Sequence, residues 1–334
     1  MAKDDGTSSK KNKHWIGFDL GGTKMLAVVY NSEFKPIGKS RKKTKGFEGM
    51  QAGLKRINSV IDEAIDDAEI SKSDVAGLGI GCPGPLDFDK GEIREAPNLG
   101  WTDVPVKKSI EAEFRFPAVI ANDVDSGIFG EYHFGAGKGA RCTVGIFPGT
   151  GIGGGCVYEG RLLRGKNTSC MEIGHIPLVP GGQLDGAGNP GSLEGVASRL
   201  AIAGQLAQAA YRGTAPSVLE KAGTDISQIR SGAIASAVEA GDEAVVQIIE
   251  DACHNIGLGV VTVVHLLAPD VIVFGGGLIE AMSGFMLKKI EKFARPRILE
   301  SMRDEFVIRE AKLGDDAGVM GAAALARQWV TENG

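Results

Sequence analysis

The feature that most constrains the fold is a glycine-containing segment that occurs twice. Residues 17–30 and 145–158 have the same length, and each begins with Gly and ends with Tyr. In both, a second glycine follows four positions after the first, at Gly21 and Gly149. Strand-like apolar residues flank these glycines, which is the pattern of a β-hairpin with a glycine turn. A repeat at this separation predicts two similar domains, each opening with the same hairpin.

Helix and strand patterns alternate after each hairpin. The predicted elements are a helix within 47–68, a strand at 75–80, a helix at 106–114, a strand at 119–121, a helix at 193–211, a long helix at 242–267, a strand at 271–274, a strand at 306–308 and a closing helix at 319–330. Strands separated by helices indicate an α/β fold with parallel strand pairs.

An amide and a carboxylate follow the apolar strand at 119–121. Asn122 and Asp123 lie where this strand passes into a helix. Ligands of α/β proteins collect beyond the carboxyl ends of strands, and a carboxylate there can accept a proton from a substrate hydroxyl. On this stretch alone, however, capping of the next helix is the better interpretation, because Asn and Asp are good N-cap residues.

The glycine-rich stretch 149–154 fits the GxGxxG pattern of dinucleotide-binding proteins. That motif requires a helix directly after it, but residues 156–158 are strand-like, so this interpretation is rejected. The sequence also contains no GxxxxGK[ST] phosphate loop. What remains is two glycine turns whose N–H groups can bind phosphate oxygens as anion nests do. A third glycine cluster after the strand at 271–274 either lies against a nucleotide or allows close packing.

A polar, loop-rich region at 161–195 contains Glu172, His175 and Glu194. Two carboxylates and an imidazole suit the recognition of a polyhydroxylated ligand. For His175 taken alone, a structural role is the better interpretation.

Several classes of protein do not fit the composition. A net charge of −5 argues against a general nucleic-acid binder. Five scattered cysteines without a CxxC pair predict reduced thiols and a cytoplasmic location. The most apolar window, 256–268, has 13 residues and is too short to span a membrane. Residues 1–13 are polar and lysine-rich, so we expect a disordered tail rather than a signal peptide.

Nine motifs in order carry a family resemblance. They are GFDLGGTK, GCPGP, PNLGW, IANDV, GTGIGGG, EIGH, SLE, VIVFGGG and LGDDAGVMGAA. Together they resemble the ROK sugar kinases of the actin/hexokinase-like ATPase superfamily, from Gly17 to the final helix. The resemblance implies an α/β fold of two actin/hexokinase-like (ribonuclease H-like) domains flanking a cleft. We expect a small domain at 14–122, completed by a helix at about 317–334, and a large domain at 123–316.

The resemblance also implies roles for individual residues, a homodimer, and ATP and Mg²⁺ as cofactors. Asp123 would be the general base, and Asp19 would help to place Mg²⁺ through an indirect contact. The sugar contacts would be Asn98, Asn122, Asp123, Glu172, His175 and Glu194. The nucleotide contacts would be Asp19, Gly21, Gly22, Thr23, Lys24, Gly149, Thr150, Gly151, Gly275, Gly276 and Gly277.

One departure from the family concerns a metal site. Members usually carry CxCGxxGC after EIGH, and these cysteines bind a structural zinc together with the histidine. Here the cysteine positions hold Asp185, Ala187 and Ser192, which leaves at most His175 and Asp185 as ligands. We therefore expect no structural zinc, and a loop ordered by hydrogen bonds of Asp185 and Asn189 instead. A second departure, Cys170-Met171 before EIGH, weakens any assignment of the particular hexose.

The leading interpretation is ATP-dependent phosphorylation of a hexose, from glucose to glucose 6-phosphate. An N-acetylhexosamine kinase or a fructokinase is the alternative within the family, and polyphosphate as donor stays open. A sugar-responsive repressor is disfavoured because only 16 polar residues precede Gly17, whereas a helix-turn-helix module needs several dozen. A non-catalytic sugar sensor is disfavoured because Asp19, Asp123 and both glycine turns are present. No nucleic-acid or membrane partner is expected.

Overall fold

The computed structural model describes residues 13–166 and 168–333. The disordered tail expected at residues 1–13 lies, apart from Lys13, outside the described residues.

The strands alternate with helices as the sequence predicts. The strands are β1 His14–Leu20, β2 Lys24–Tyr30, β3 Pro36–Lys43, β4 Val75–Cys82, β5 Leu86–Asp87, β6 Glu92–Ala96, β7 Trp101–Val104, β8 Ala118–Asn122, β9 Cys142–Pro148, β10 Ile152–Tyr158, β11 Arg161–Leu162, β12 Val271–Phe274 and β13 Val307–Glu310. The helices are α1 Met50–Asp67, α2 Val106–Phe114, α3 Asp123–Phe134, α4 Leu193–Ala197, α5 Arg199–Tyr211, α6 Pro216–Ala222, α7 Ser231–Glu239, α8 Glu243–Leu267, α9 Gly277–Ala294 and α10 Ala317–Asn333.

Two five-stranded sheets share one topology. The first has the order β3-β2-β1-β4-β8 and the second the order β11-β10-β9-β12-β13. In the first, β1 pairs with β2 antiparallel and with β4 parallel; in the second, β9 pairs with β10 antiparallel and with β12 parallel. The predicted duplication is therefore confirmed, and each repeated hairpin supplies the central and second strands of its sheet. A small antiparallel sheet, β5-β6-β7, follows β4 in the chain.

Each sheet belongs to a separate compact unit. Unit 1 comprises residues 13–130, 166, 168 and 316–333, and unit 2 comprises 131–165 and 169–315. Unit 1 has a core that includes the apolar face of α1, where Leu54, Ile57 and Ile61 are buried as their spacing predicts. Unit 2 has its own core around β9, β12 and α8.

The closing helix α10 lies directly on the first sheet. A β-carbon at Gly17 would lie 1.8 Å from the carbonyl oxygen of Val319, and one at Gly79 would lie 1.8 Å from that of Ala322. Glycine is therefore required on β1 and β4, because the backbone of α10 occupies the space of a side chain. This packing fixes the carboxyl end of β1, where Asp19 is found.

Two sequence expectations need correction. The helix predicted at 193–211 is broken at Ser198, which is extended and caps α5 by accepting the N–H of Ala201 at 3.2 Å. The apolar window at 256–268 is by itself too short to span a membrane, but it lies at the end of a longer helix. By length and composition the whole 25-residue helix α8 could cross one. Ile249, Ile256 and Val260 of α8 are fully buried in the core of unit 2, as in the core helix of a globular domain.

Candidate active site

Three predicted site residues lie at the carboxyl ends of adjacent parallel strands in unit 1. Asp19 of β1 pairs with Gly81 of β4, and Cys82 of β4 pairs with Asn122 of β8. Asp123 follows β8 directly and is exposed. This edge of the sheet is where α/β proteins bind their ligands.

Two carboxylates, Asp19 and Asp123, lie next to the buried end of β4. Burial raises the pKa of the Cys82 thiol well above its usual value, and the nearby charges of Asp123 and Asp19 raise it further. Both carboxylates therefore act on the same end of β4. Carboxylate oxygens are ligands that Mg²⁺ prefers, so the Asp19 carboxylate suits this ion.

Asn122, rather than Asp123, is the main cap of α3. Its side-chain oxygen accepts the N–H of Val124 at 2.9 Å and that of Asp125 at 3.3 Å. Asp123 also accepts the Val124 N–H, at 3.0 Å. The capping interpretation therefore holds for Asn122, and it is the side-chain oxygen that makes the cap.

Thr44 donates hydrogen bonds to two carbonyl groups of the first glycine turn. The Thr44 hydroxyl donates to the carbonyl of Gly21 at 2.6 Å, and the Thr44 N–H donates to that of Thr23 at 2.9 Å. Among the described residues, the N–H groups of Gly22 and Thr23 meet no acceptor. Two successive free N–H groups form an anion-binding nest.

Asn98 lies directly against this turn. A β-carbon at Gly22 would be 3.0 Å from the side-chain nitrogen of Asn98. The structure thus brings a predicted phosphate-turn residue and a predicted sugar contact together. Lys24 begins β2 on the other side of the turn.

The second glycine turn has the same construction in unit 2. The N–H groups of Arg199 and Leu200, at the start of α5, donate to the carbonyls of Gly149 and Thr150 at 2.9 and 3.4 Å. In the described chain the N–H groups of Thr150 and Gly151 meet no acceptor. These two N–H groups therefore form a second nest, and the Arg199 guanidinium donates to the Thr150 hydroxyl at 3.0 Å.

Glu172 precedes and His175 ends a single 3₁₀ turn, Ile173–His175, that packs against β10. A β-carbon at Gly174 would lie 2.1 Å from the carbonyl oxygen of Ile152, so only glycine permits this contact. Glu172 precedes the turn and is exposed. His175 contacts the Asp185 carboxylate through Nδ1 at 2.7 Å.

The His175–Asp185 contact controls the charge of both groups. Partial burial lowers the pKa of His175, but the hydrogen bond and negative charge of Asp185 outweigh it and raise the pKa. Burial likewise raises the pKa of Asp185, yet hydrogen bonds from His175, Asn189 and Ser192 outweigh it and hold the pKa far below its usual value. Asp185 is therefore an ionised acceptor.

Glu194 joins the second turn to the loop after His175. Its carboxylate accepts the N–H of Ile152 at 2.9 Å and that of Gly186 at 3.0 Å. Potential ligand atoms of His175, Asp185 and Glu194 lie within 4.8 Å of one another. The expectation that only His175 and Asp185 remain as possible ligands there is wrong, because α4 brings Glu194 to the same place.

Close packing explains the third glycine cluster, Gly275 to Gly277. Gly276 has φ of 82° and precedes α9, a conformation that favours glycine. A β-carbon at Gly275 would lie 2.9 Å from the Phe147 ring, and one at Gly276 would lie 2.9 Å from the Pro148 carbonyl. Gly277 begins α9, so the cluster lies beside the end of β9 and next to the second turn.

A cavity of about 410 Å³ in unit 2 is lined in part by Thr150, Gly151, Asp185 and Glu194. It therefore joins the second nest to the polar residues of the following loop. Another cavity, of about 550 Å³, lies beside α9 and is lined by none of the predicted site residues.

Sequence reasoning missed two residues that shape the turns, Thr44 and Arg199. Each comes from a segment outside its hairpin, and neither lies in a recognisable motif. The signal for Arg199 is indirect, because Ser198 is an N-cap residue and places the start of α5 at the turn. The predicted residues thus form one group in unit 1 and one in unit 2. The unit 1 group is Asp19, Gly21, Gly22, Thr23, Lys24, Asn98, Asn122 and Asp123; the unit 2 group is Gly149, Thr150, Gly151, Glu172, His175, Glu194, Gly275, Gly276 and Gly277.

Solved structures and sequence relatives resemble the whole chain. A glucokinase from Halalkalibacterium halodurans is 32% identical over 321 residues, covering 95% of this chain and 96% of that protein. A putative xylose repressor from Caldicellulosiruptor sp. is 26% identical and covers 93% of this chain and 77% of the repressor. A ROK family glucokinase from Streptomyces griseus, solved with glucose and AMPPNP, has a TM-score of 0.78 and 30% identity over 94% of this chain and 99% of that one. A ROK hexokinase from Thermus thermophilus has a TM-score of 0.81 and 29% identity, covering 96% of this chain and 100% of that one.

These structures confirm the predicted α/β fold of the actin/hexokinase-like type. The profile of the ROK family matches residues 15–329, which include both hairpins, both nests and every predicted site residue. On this match, the chain belongs to the ROK family.

Proposed function

We propose that this protein transfers the γ-phosphoryl group of ATP to a hydroxyl group of a hexose, with glucose to glucose 6-phosphate as the leading reaction. The observation that carries the proposal is the pair of glycine turns, each with two N–H groups that meet no acceptor among the described residues and suit phosphate oxygens. The similarity to glucokinases, one of them solved with glucose and AMPPNP, supports the choice of substrates.

In this reaction Asp123 accepts the proton of the attacking hydroxyl. Phosphoryl transfer depends mainly on positioning and on stabilisation of charge, which the two nests provide. Mg²⁺ would be placed with the help of Asp19 and would neutralise phosphate charge. The sugar would be held by Asn98, Asn122, Glu172, His175 and Glu194, and the nucleotide by both turns, Lys24 and Gly275 to Gly277.

The proposal includes no structural zinc. The two oxygens of Asp185 already accept five hydrogen bonds, and both oxygens of Glu194 accept backbone N–H groups. A structural zinc site uses about four ligands, mostly thiolate or imidazole. A cytoplasmic homodimer without nucleic-acid or membrane partners completes the proposal.

The test is coupled ADP release from ATP and Mg²⁺ across glucose, fructose and N-acetylhexosamines. We expect the highest kcat/KM with glucose. A higher value with fructose or an N-acetylhexosamine would instead assign one of the other kinases of the family. The similarity to a putative xylose repressor favours a sugar-sensing regulator as the second candidate. Calorimetric binding of a hexose without any ADP release would overturn the kinase and support that regulator.

A further inference from the structure

The carboxylate of Asp185 is the centre of the loop that follows His175. The Asp185 side chain is fully covered, whereas 34% of the His175 side chain is exposed. Oδ1 of Asp185 accepts the N–H groups of Ala187 and Asn189 at 2.9 and 2.8 Å. Oδ2 accepts from Nδ1 of His175 at 2.7 Å, from the Ser192 hydroxyl at 2.8 Å and from the Asn189 amide at 3.3 Å.

This arrangement decides which ring nitrogen of His175 carries a proton. An ionised carboxylate can only accept hydrogen bonds, and both oxygens of Asp185 already face backbone and side-chain donors. Nδ1 of His175 must therefore be the donor in the contact with Oδ2. The other ring nitrogen, Nε2, is then the one left for a ligand.

The same carboxylate also supports Glu194. Ser192, which donates to Asp185, caps α4 by accepting the N–H of Gly195 at 3.2 Å. Gly186, the residue after Asp185, donates its N–H to Glu194 at 3.0 Å. One buried carboxylate thus fixes the surroundings of two residues that the proposed function assigns to the sugar.

We propose that Asp185 is a positioning residue for the hexose: it holds the His175 ring with Nδ1 as donor, so that Nε2 is directed to a sugar hydroxyl. The inference rests on the proposed function for the identity of the ligand. Asp185 acts through His175 and does not touch the sugar itself. It does by hydrogen bonds what a metal ion bound to Nδ1 would do, which is to fix the orientation and tautomer of the ring.

Asparagine cannot replace this aspartate without loss. In asparagine an NH₂ group replaces one of the two carboxylate oxygens. It would therefore face either the two N–H groups that donate to Oδ1 or the three donors that contact Oδ2. Donor would then oppose donor on one side. Asp185→Asn should therefore release either the loop or the ring.

The test is a double-mutant cycle of Asp185→Asn and His175→Ala, followed through KM and kcat. We expect Asp185→Asn to raise the KM for hexose about tenfold, the size of one lost charged hydrogen bond. The KM for ATP should change little. In the His175→Ala background, Asp185→Asn should cost clearly less than in the wild type, because the ring is gone and only the support of Glu194 is left to lose. Asn189→Ala is the matched control, since it removes only the 3.3 Å contact to Oδ2, and should leave the hexose KM unchanged.

Two kinetic results would overturn the inference. One is an unchanged hexose KM in Asp185→Asn. The other is an increase in hexose KM on Asp185→Asn that is equally large with and without His175. That result is expected if Asp185 merely orders the loop and does not act through His175.

Ring ¹⁵N NMR tests the same geometry in the wild-type protein itself, and a variant is needed only to assign the signal. His175 is assigned by its absence in His175→Ala, and spectra at alkaline pH should show a proton on Nδ1. An Nε2–H tautomer would overturn the inference. If the wild type phosphorylates no hexose, the proposed function fails, and these spectra still decide whether Asp185 sets the ring.

Discussion

Gly151 and Glu194 are packed so closely that a β-carbon on Gly151 would lie 2.2 Å from the carboxylate oxygen Oε2 of Glu194. The same oxygen accepts the N–H of Ile152 at 2.9 Å. A residue of the proposed phosphate nest and a residue of the proposed sugar site are therefore in direct contact in unit 2.

Gly151→Ala should disturb both ligands at once. The β-carbon must displace the Glu194 carboxylate or shift the turn, and a displaced carboxylate loses its hydrogen bonds with Ile152 and Gly186, each worth about 1 kcal/mol or more. We expect kcat/KM to fall about tenfold or more for both hexose and ATP. Gly149→Ala is the matched control, because its β-carbon would meet nothing nearer than 4.0 Å. Equal losses in the two variants would contradict the steric argument.

Asp123→Asn should abolish most of the activity without unfolding the protein. Loss of a general base lowers kcat by about 10²-fold or more, while hexose binding measured by calorimetry should stay largely intact. Because Asn122 supplies the main cap of α3, the melting temperature should change little. Near-normal kcat with unchanged KM would exclude Asp123 as the base.

Asn122→Ala, unlike Asp123→Asn, should lower the stability of the protein. It removes the acceptor for Val124 and Asp125, and loss of an N-cap costs about 1 kcal/mol. We expect a lower midpoint in urea unfolding for this variant than for Asp123→Asn. If Asp123→Asn proves the more destabilising of the two, then Asp123 rather than Asn122 is the structural cap.

Local pattern was sufficient to predict most of the fold. The helix at 106–114 and the strand at 271–274 have the bounds that the sequence predicts, because apolar spacing and flanking turn residues determine each of them. The repeated hairpin even predicted the duplication, which the two sheet orders confirm. Ser198 is the local exception: neighbouring apolar periodicity continues through it, but its hydroxyl caps α5 instead.

Contacts between distant segments were beyond sequence reasoning. Nothing near Thr44 signals that it holds the carbonyls of Gly21 and Thr23. Similarly, Asp185 could be named as a loop anchor, but its contact with His175 depends on how residues 176–184 fold back. Such contacts depend on the path of the whole chain rather than on residue spacing.

Metal removal should separate Mg²⁺ from zinc. We expect activity to disappear with EDTA, to return when Mg²⁺ is added, and to survive a zinc-selective chelator. The hydrogen bonds to Asp185 and Glu194 would keep the loop ordered throughout. Stoichiometric zinc in the purified, untagged protein would contradict this prediction.

The contact between Asp185 and His175 should make stability depend on pH in the acid range. Hydrogen bonds outweigh burial and hold the pKa of Asp185 far below its usual value, which is about 3.9 in an unfolded chain. Asp185 has a lower pKa in the folded state than in the unfolded chain. Its ionised side chain therefore stabilises the fold fully above pH ~4, and this contribution disappears as the pH falls towards the pKa of the folded state. The raised pKa of His175 keeps that ring protonated over the same range. We therefore expect the difference in melting temperature between wild type and Asp185→Asn to be full near pH ~6 and to shrink below pH ~4. A difference that stays constant through the acid range would mean that Asp185 has no lowered pKa in the folded protein.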